Sequence, residues 1–77
     1  MSRILRGFDR LGESLVFEYA MPQLDLGELQ RAFEVPEGDP MFDSFRVGPA
    51  QADFVAKTLS IELNFDRYDY FVEFEAD

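Results

Sequence analysis

From Tyr70 to Asp77 the chain alternates with a period of two. Tyr70, Val72, Phe74 and Ala76 fall on one side, and Phe71, Glu73, Glu75 and Asp77 on the other. This is the pattern of a strand with one covered face. Ile61, Leu63 and Phe65 alternate in the same way with Glu62 and Asn64, predicting a third strand joined to the fourth by a turn at Asp66–Asp69. At the N-terminus, Arg3–Asp9 reads as a strand with Ile4, Leu5 and Phe8 as its apolar members. Gly7 interrupts it, as a bulge or a close backbone approach. Arg10–Ser14 is a turn, with Gly12 suited to a left-handed position. Leu15–Ala20 follows, with Leu15, Phe17 and Tyr19 on one face, so the first two strands form a hairpin.

Between these strands the period lengthens. Met21-Pro22 stops the second strand, and Asp25 with Glu28 three residues on is a helix-start signature. Leu26, Leu29 and Phe33 make one apolar stripe, and Pro36 ends the element, predicting a helix over Leu26–Phe33. A second helix opens at Gly48-Pro49, with Ala52, Val55, Ala56 and Leu59 at helical spacing and Lys57 suited to the last turn. The stretch Val35–Val47 is irregular, and Met41, Phe42 and Phe45 within it either plug the core from outside or are presented to a partner, the plug being the better reading in so small a domain. The fold class predicted is α+β in the order β-β-α-α-β-β: a four-stranded antiparallel sheet with two short helices on one face, in a single domain spanning 1–77.

Composition narrows the functions open to such a fold. At 77 residues, with 47% hydrophobic and 16% aromatic content, the chain is rich enough for a core and unlike a disordered segment. It carries no cysteine and no histidine, which removes disulfides, zinc–thiolate sites, thiolate nucleophiles and the usual base near neutral pH. No stretch has the length of a membrane span or the apolar core of a signal peptide, so a cytoplasmic location is expected. The net charge is −9 and unevenly spread. Residues 1–20 balance Arg3, Arg6 and Arg10 against Asp9, Glu13 and Glu18, whereas the acids gather in 21–50 and 60–77. A field of that sign repels nucleic acid and anionic membranes and draws in basic partners.

Catalytic and metal signatures are weak. The serines lack a nucleophile-elbow context, the glycines are scattered, and neither Asp39–Asp43 nor Asp66–Asp69 has the alternating ligands of a calcium loop. Carboxylate pairs abound, but a chain this small builds a substrate cleft poorly, so no enzyme, cofactor or metal is expected. What remains is the second face of the last strand. Phe71 among Glu73 and Glu75, joined by Glu62 and Asn64 from the neighbouring strand, has the make-up of an aromatic anchor with a polar rim. An ordinary solvated sheet face has the same make-up, and the residues alone leave both readings open.

Asp69-Tyr-Phe-Val-Glu-Phe74, preceded by Ile61-Glu-Leu63, resembles the closing hairpin of the cloacin and ribonuclease-colicin immunity proteins. These are small acidic proteins built as an antiparallel sheet with short helical elements. The match covers about a fifth of the chain, and residues 1–58 depart from the immunity-protein pattern. Leu5-Arg-Gly-Phe-Asp9, Asp39-Pro-Met-Phe-Asp-Ser44 and Asp66-Arg-Tyr-Asp-Tyr-Phe71 are similar to a widespread family of small bacterial proteins that accompany polymorphic toxins. The resemblance implies an immunity protein that neutralises a basic toxin nuclease domain, a ribonuclease by preference, and makes no direct contact with nucleic acid or membrane. The face that the residue pattern assigns to this role has Phe71 as anchor and Glu73, Glu75, Glu62, Asn64, Asp66 and Asp69 around it. Two other readings are a small acidic accessory domain with no toxin partner and a nucleic-acid mimic. An exposed edge strand allows either a monomer or a weak homodimer. One exposure contrast follows: Phe71 should be markedly more open to solvent than Phe74.

Overall fold

Leu5, Tyr70 and Val72 lie at the centre of the molecule, 0%, 2% and 1% exposed, and all three belong to one side of an antiparallel sheet. The structure is a computed structural model and describes residues 2–23 and 26–75. Its strands are β1 (Ser2–Asp9), β2 (Leu15–Ala20), β3 (Phe45–Arg46) and β4 (Tyr68–Glu75), and its helices are α1 (Leu26–Ala32) and α2 (Pro49–Leu59). The strands lie side by side as β2-β1-β4-β3, every pair antiparallel. The α+β class, with four antiparallel strands in one sheet and two helices, is as the sequence pattern predicts.

The third strand is not where the alternation places it. Phe45 and Arg46 pair with Val72 and Phe71, and the Val47 amide continues the ladder by donating to the Tyr70 carbonyl at 2.8 Å. The order along the chain is therefore β-β-α-β-α-β, with a single local hairpin. Both edges of β4 are occupied, by β1 and β3, so Ile61–Phe65 has no strand to join. Its alternation serves burial instead, since Ile61, Leu63 and Phe65 pack on the core cluster from outside the sheet. The Asn64 amide donates to the Tyr70 hydroxyl at 2.9 Å, and the Asn64 carbonyl closes the turn, accepting from the amides of Arg67 and Tyr68. Strand β4 consequently begins at Tyr68, inside the stretch predicted as a turn.

Local chemistry accounts for three helix ends, the last turn of α1 and both ends of α2. Helix α1 ends in a left-handed Glu34 (φ 55°), with the Val35 amide bonded back to Gln30 and that of Glu34 to Arg31. That double closure stops the helix before Pro36 is reached. Asp25, predicted as its N-cap, lies outside the described residues. Helix α2 begins at Gly48, whose amide is held by the Gln51 side chain at 3.0 Å, and ends at a left-handed Ser60. Val55 brings α2 onto the covered side of the sheet, and Phe33 brings the end of α1 there, its ring edge-on to Phe45.

Two local predictions change. The left-handed residue in the β1–β2 turn is Glu13 (φ 57°), not Gly12. The register shifts between Gly7 and Phe8, so Leu15 lies opposite Phe8 rather than sharing the face of Phe17. Gly7 is the close approach: a Cβ built there would stand 2.2 Å from the Phe17 ring.

The irregular stretch divides its three large residues. Met41 is a plug, fully buried despite a left-handed backbone (φ 58°), and Phe45 is half-buried, whereas Phe42 is 58% exposed and stacks on Phe74 at 4.5 Å. The loop is tied from beneath. Buried Gln30 donates to the Glu37 and Asp39 carbonyls at 2.9 and 2.8 Å, and Arg3 donates to those of Met41 and Pro40. Gln30→Leu should cost about 1–2 kcal/mol, because two loop carbonyls lose their donor. Urea unfolding monitored by circular dichroism measures it, and an unchanged midpoint would show that the loop does not depend on Gln30.

Candidate functional site

The face of the sheet away from the helices is built by alternate residues of β1 and β4. Arg6 and Phe8 lie there from β1, and Asp69, Phe71, Glu73 and Glu75 from β4, with Arg6 opposite Phe71 and Phe8 opposite Asp69. Glu18 of β2 and Arg46 of β3 complete the row, since Glu18 faces Arg6 and Arg46 faces Phe71. Four of the residues predicted for the site (Phe71, Glu73, Glu75 and Asp69) are thus brought together. Glu62, Asn64 and Asp66 are not. They lie on the connection that crosses the covered side, because the C-terminal hairpin expected to carry them onto the outer face does not form.

The carboxylates of this face are not a free ring of charge. Arg6 donates through Nη1 to Glu73 Oε1 at 2.7 Å and through Nη2 to Glu75 Oε1, with Glu18 Oε2 3.5 Å from the same nitrogen. The second oxygen of Glu73 accepts from the Ser44 hydroxyl at 2.8 Å. Asp69 receives Arg46 at 2.9 Å and has Arg10 Nε at 3.7 Å. The hydrogen bond from Arg6 holds the Glu73 carboxyl below its usual range, helped by Ser44 and opposed by burial. The same contacts raise Arg6. These arginines, read from the sequence only as part of a charge count, are what organise the face. Nothing in a single sequence reveals the strand register that places Arg6 between three acids.

Beside this network lies an open cleft of about 370 Å3, lined by Phe8, Asp9, Glu13, Ser44, Asp69, Phe71 and Glu73. Its floor is the pair Phe8–Phe71, edge to face with ring centroids 5.8 Å apart. Asp9 is fixed by accepting from the amides of Leu11 and Gly12 at 2.8 and 3.2 Å, and those bonds lower its pKa. That turn has a sequence signal, an Asp two and three residues ahead of Leu11-Gly12. Glu13 is exposed, and no ion pair holds it among the described residues. The cleft thus offers aromatic surface rimmed by carboxylates, a make-up suited to a cationic side chain. Phe71 and Phe74 are both half-buried, so the contrast predicted between them is not seen. Phe74 sits at the sheet's end under Phe42 and the Arg3 guanidinium rather than in the core.

Among the described residues there is no group of three or more acids placed to hold a metal ion, and no helix is long and apolar enough to cross a membrane.

Residues 2–73 match the model of a family described as a domain of unknown function, DUF7683. The chain belongs to this family. The matched span takes in β1, β4 through Glu73, the cleft, and Arg6 with Glu18 and Glu73, so all of the outer face described above except Glu75 falls within the DUF7683 match. No curated protein and no solved structure matches the chain.

Proposed function

We propose that this DUF7683 protein is a binding module whose outer sheet face receives a basic protein surface, and that it serves as an immunity protein against a toxin nuclease domain. The observation that carries the binding reading is the cleft, in which the Phe8–Phe71 pair is rimmed by Asp9, Glu13, Asp69 and Glu73 on a chain of net charge −9. A lysine or arginine entering it meets a ring to stack on and carboxylates to bond, while the overall charge raises the rate of encounter. The toxin assignment rests on the resemblance of Asp69–Phe74 to immunity proteins, and a ribonuclease domain is the partner that resemblance favours. Inhibition would follow from covering cationic groups that the nuclease needs for its own substrate.

Arg6, Arg10 and Arg46 already offset most of the strand carboxylates, which makes Phe71 and Glu13 the decisive groups. Phe71→Ala and Glu13→Lys should each weaken binding to a cognate basic toxin nuclease domain by at least about tenfold. Calorimetric titration measures it, with circular dichroism to verify folding. Association should also slow as salt rises. Affinities untouched by both substitutions would remove the cleft from the interface. Co-expression with the toxin separates the toxin reading from an accessory domain without one, since only an immunity protein rescues growth.

A further inference from the structure

The outer edge of β2 pairs with no strand among the described residues. Met21 donates to the Arg3 carbonyl at 3.0 Å, and the register pairs Leu5 with Tyr19 and Gly7 with Phe17. By the alternation of antiparallel ladders, Phe17, Tyr19 and Met21 direct their backbone groups at β1, and Glu18 and Ala20 direct theirs outward. The opposite edge of the sheet is β3, two residues long. None of the usual edge protections lies along Phe17–Ala20. It contains no lysine or proline, and its one charge, Glu18, turns toward Arg6. Around it Leu15, Val16 and Tyr19 are 46%, 47% and 40% exposed, and Leu11 in the adjoining turn is 98% exposed.

We infer that β2 pairs with β2 of a second copy of this chain, antiparallel about a two-fold axis, joining two sheets into one. Charge selects a second copy over a basic partner. The protein carries −9 overall, but residues 1–20 balance three arginines against three acids, so the hairpin is the region where two copies meet without net repulsion. The Phe8–Phe71 cleft is lined by no β2 residue and stays open in such a dimer. The inference therefore stands whether or not that cleft binds a basic protein.

Light scattering and sedimentation of the whole chain across a concentration series test it. The mass should approach twice 8.9 kDa, and the amides of Glu18 and Ala20 should exchange more slowly as concentration rises. Salt should tighten the dimer by screening the repulsion of two acidic bodies, opposite to its effect on capture of a basic partner. Ala20→Pro removes an outward amide and no bond to β1, and Val16→Lys sets a charge at the edge. Each should raise the dissociation constant at least about tenfold. A single-chain mass at millimolar concentration overturns the inference. So does a dimer that survives both substitutions, or one whose Glu18 and Ala20 amides exchange as fast as in dilute solution.

Discussion

Gly7→Ala should destabilise the protein by about 2 kcal/mol and lower its melting temperature by roughly 10 °C. The backbone of Gly7 is not in the left-handed region, so conformational freedom is not what the position requires. It requires space. A Cβ there would stand 2.2 and 2.3 Å from two atoms of the Phe17 ring, far inside contact distance. The ring cannot retreat freely, because it lies against Tyr19, Tyr68 and Tyr70 with centroids 5.2 to 5.6 Å away. Swinging it out loses part of the burial of a half-covered phenylalanine, where a fully buried one is worth about 3–5 kcal/mol on truncation. Against this stands about 0.5–1 kcal/mol gained by replacing a glycine inside a strand. The clash wins. A double-mutant cycle isolates it: Phe17→Leu should cost less in the Gly7→Ala background than alone, since the ring that obstructs the methyl has gone. If Gly7→Ala unfolds at the wild-type urea midpoint, the ring moves at no cost and the packing account is wrong.

Gly7 also marks how far the sequence could be read. Its position inside an apolar run was enough to anticipate a bulge or a close approach, and it lies at both. Periods of two and 3.6 located β1, β2, both helices and most of β4, because burial of one face imposes them directly. Ile61–Phe65 shows the limit of the same signal. Alternation reports which side chains are covered, and an extended segment lying on a core without a strand partner alternates as well as a paired one. Conversely, Phe45-Arg46 is too short to display any period, so the true third strand left no trace in the pattern. The site was legible where it followed from β4 alone, as for Asp69, Phe71, Glu73 and Glu75. It was illegible where it depended on register, as for Arg6 and Phe8 on β1, or on loop closure, as for Ser44 and Glu13.

Register also decides the second large effect, at Arg6. Arg6→Met should cost about 2 kcal/mol near neutral pH, measured by urea unfolding. The side chains of Arg6 and Glu73 are only 22% and 24% exposed, so their pair at 2.7 Å is poorly screened. Glu18 and Glu75, at 45% and 49% exposed, add little individually. Removing the cation leaves Glu73 half-buried with Ser44 as its remaining partner and brings three carboxylates together uncompensated. The pH dependence separates this from a simple loss of packing. Glu73 has a lowered pKa in the folded protein, so its contribution is complete above its unfolded value of about 4.3 and fades as pH falls through the lower folded value. Arg6, with a raised pKa, stays charged throughout that range. Wild-type protein should therefore lose stability on acidification. In Arg6→Met the crowded carboxylates prefer protonation, so the loss should shrink or reverse and the two unfolding curves should converge toward pH 4. Arg6→Lys, a single point charge in place of a fork, should fall between them. Curves that stay parallel from neutral to acid pH would mean that Arg6 supports the face through its methylene stem and that its charge adds nothing.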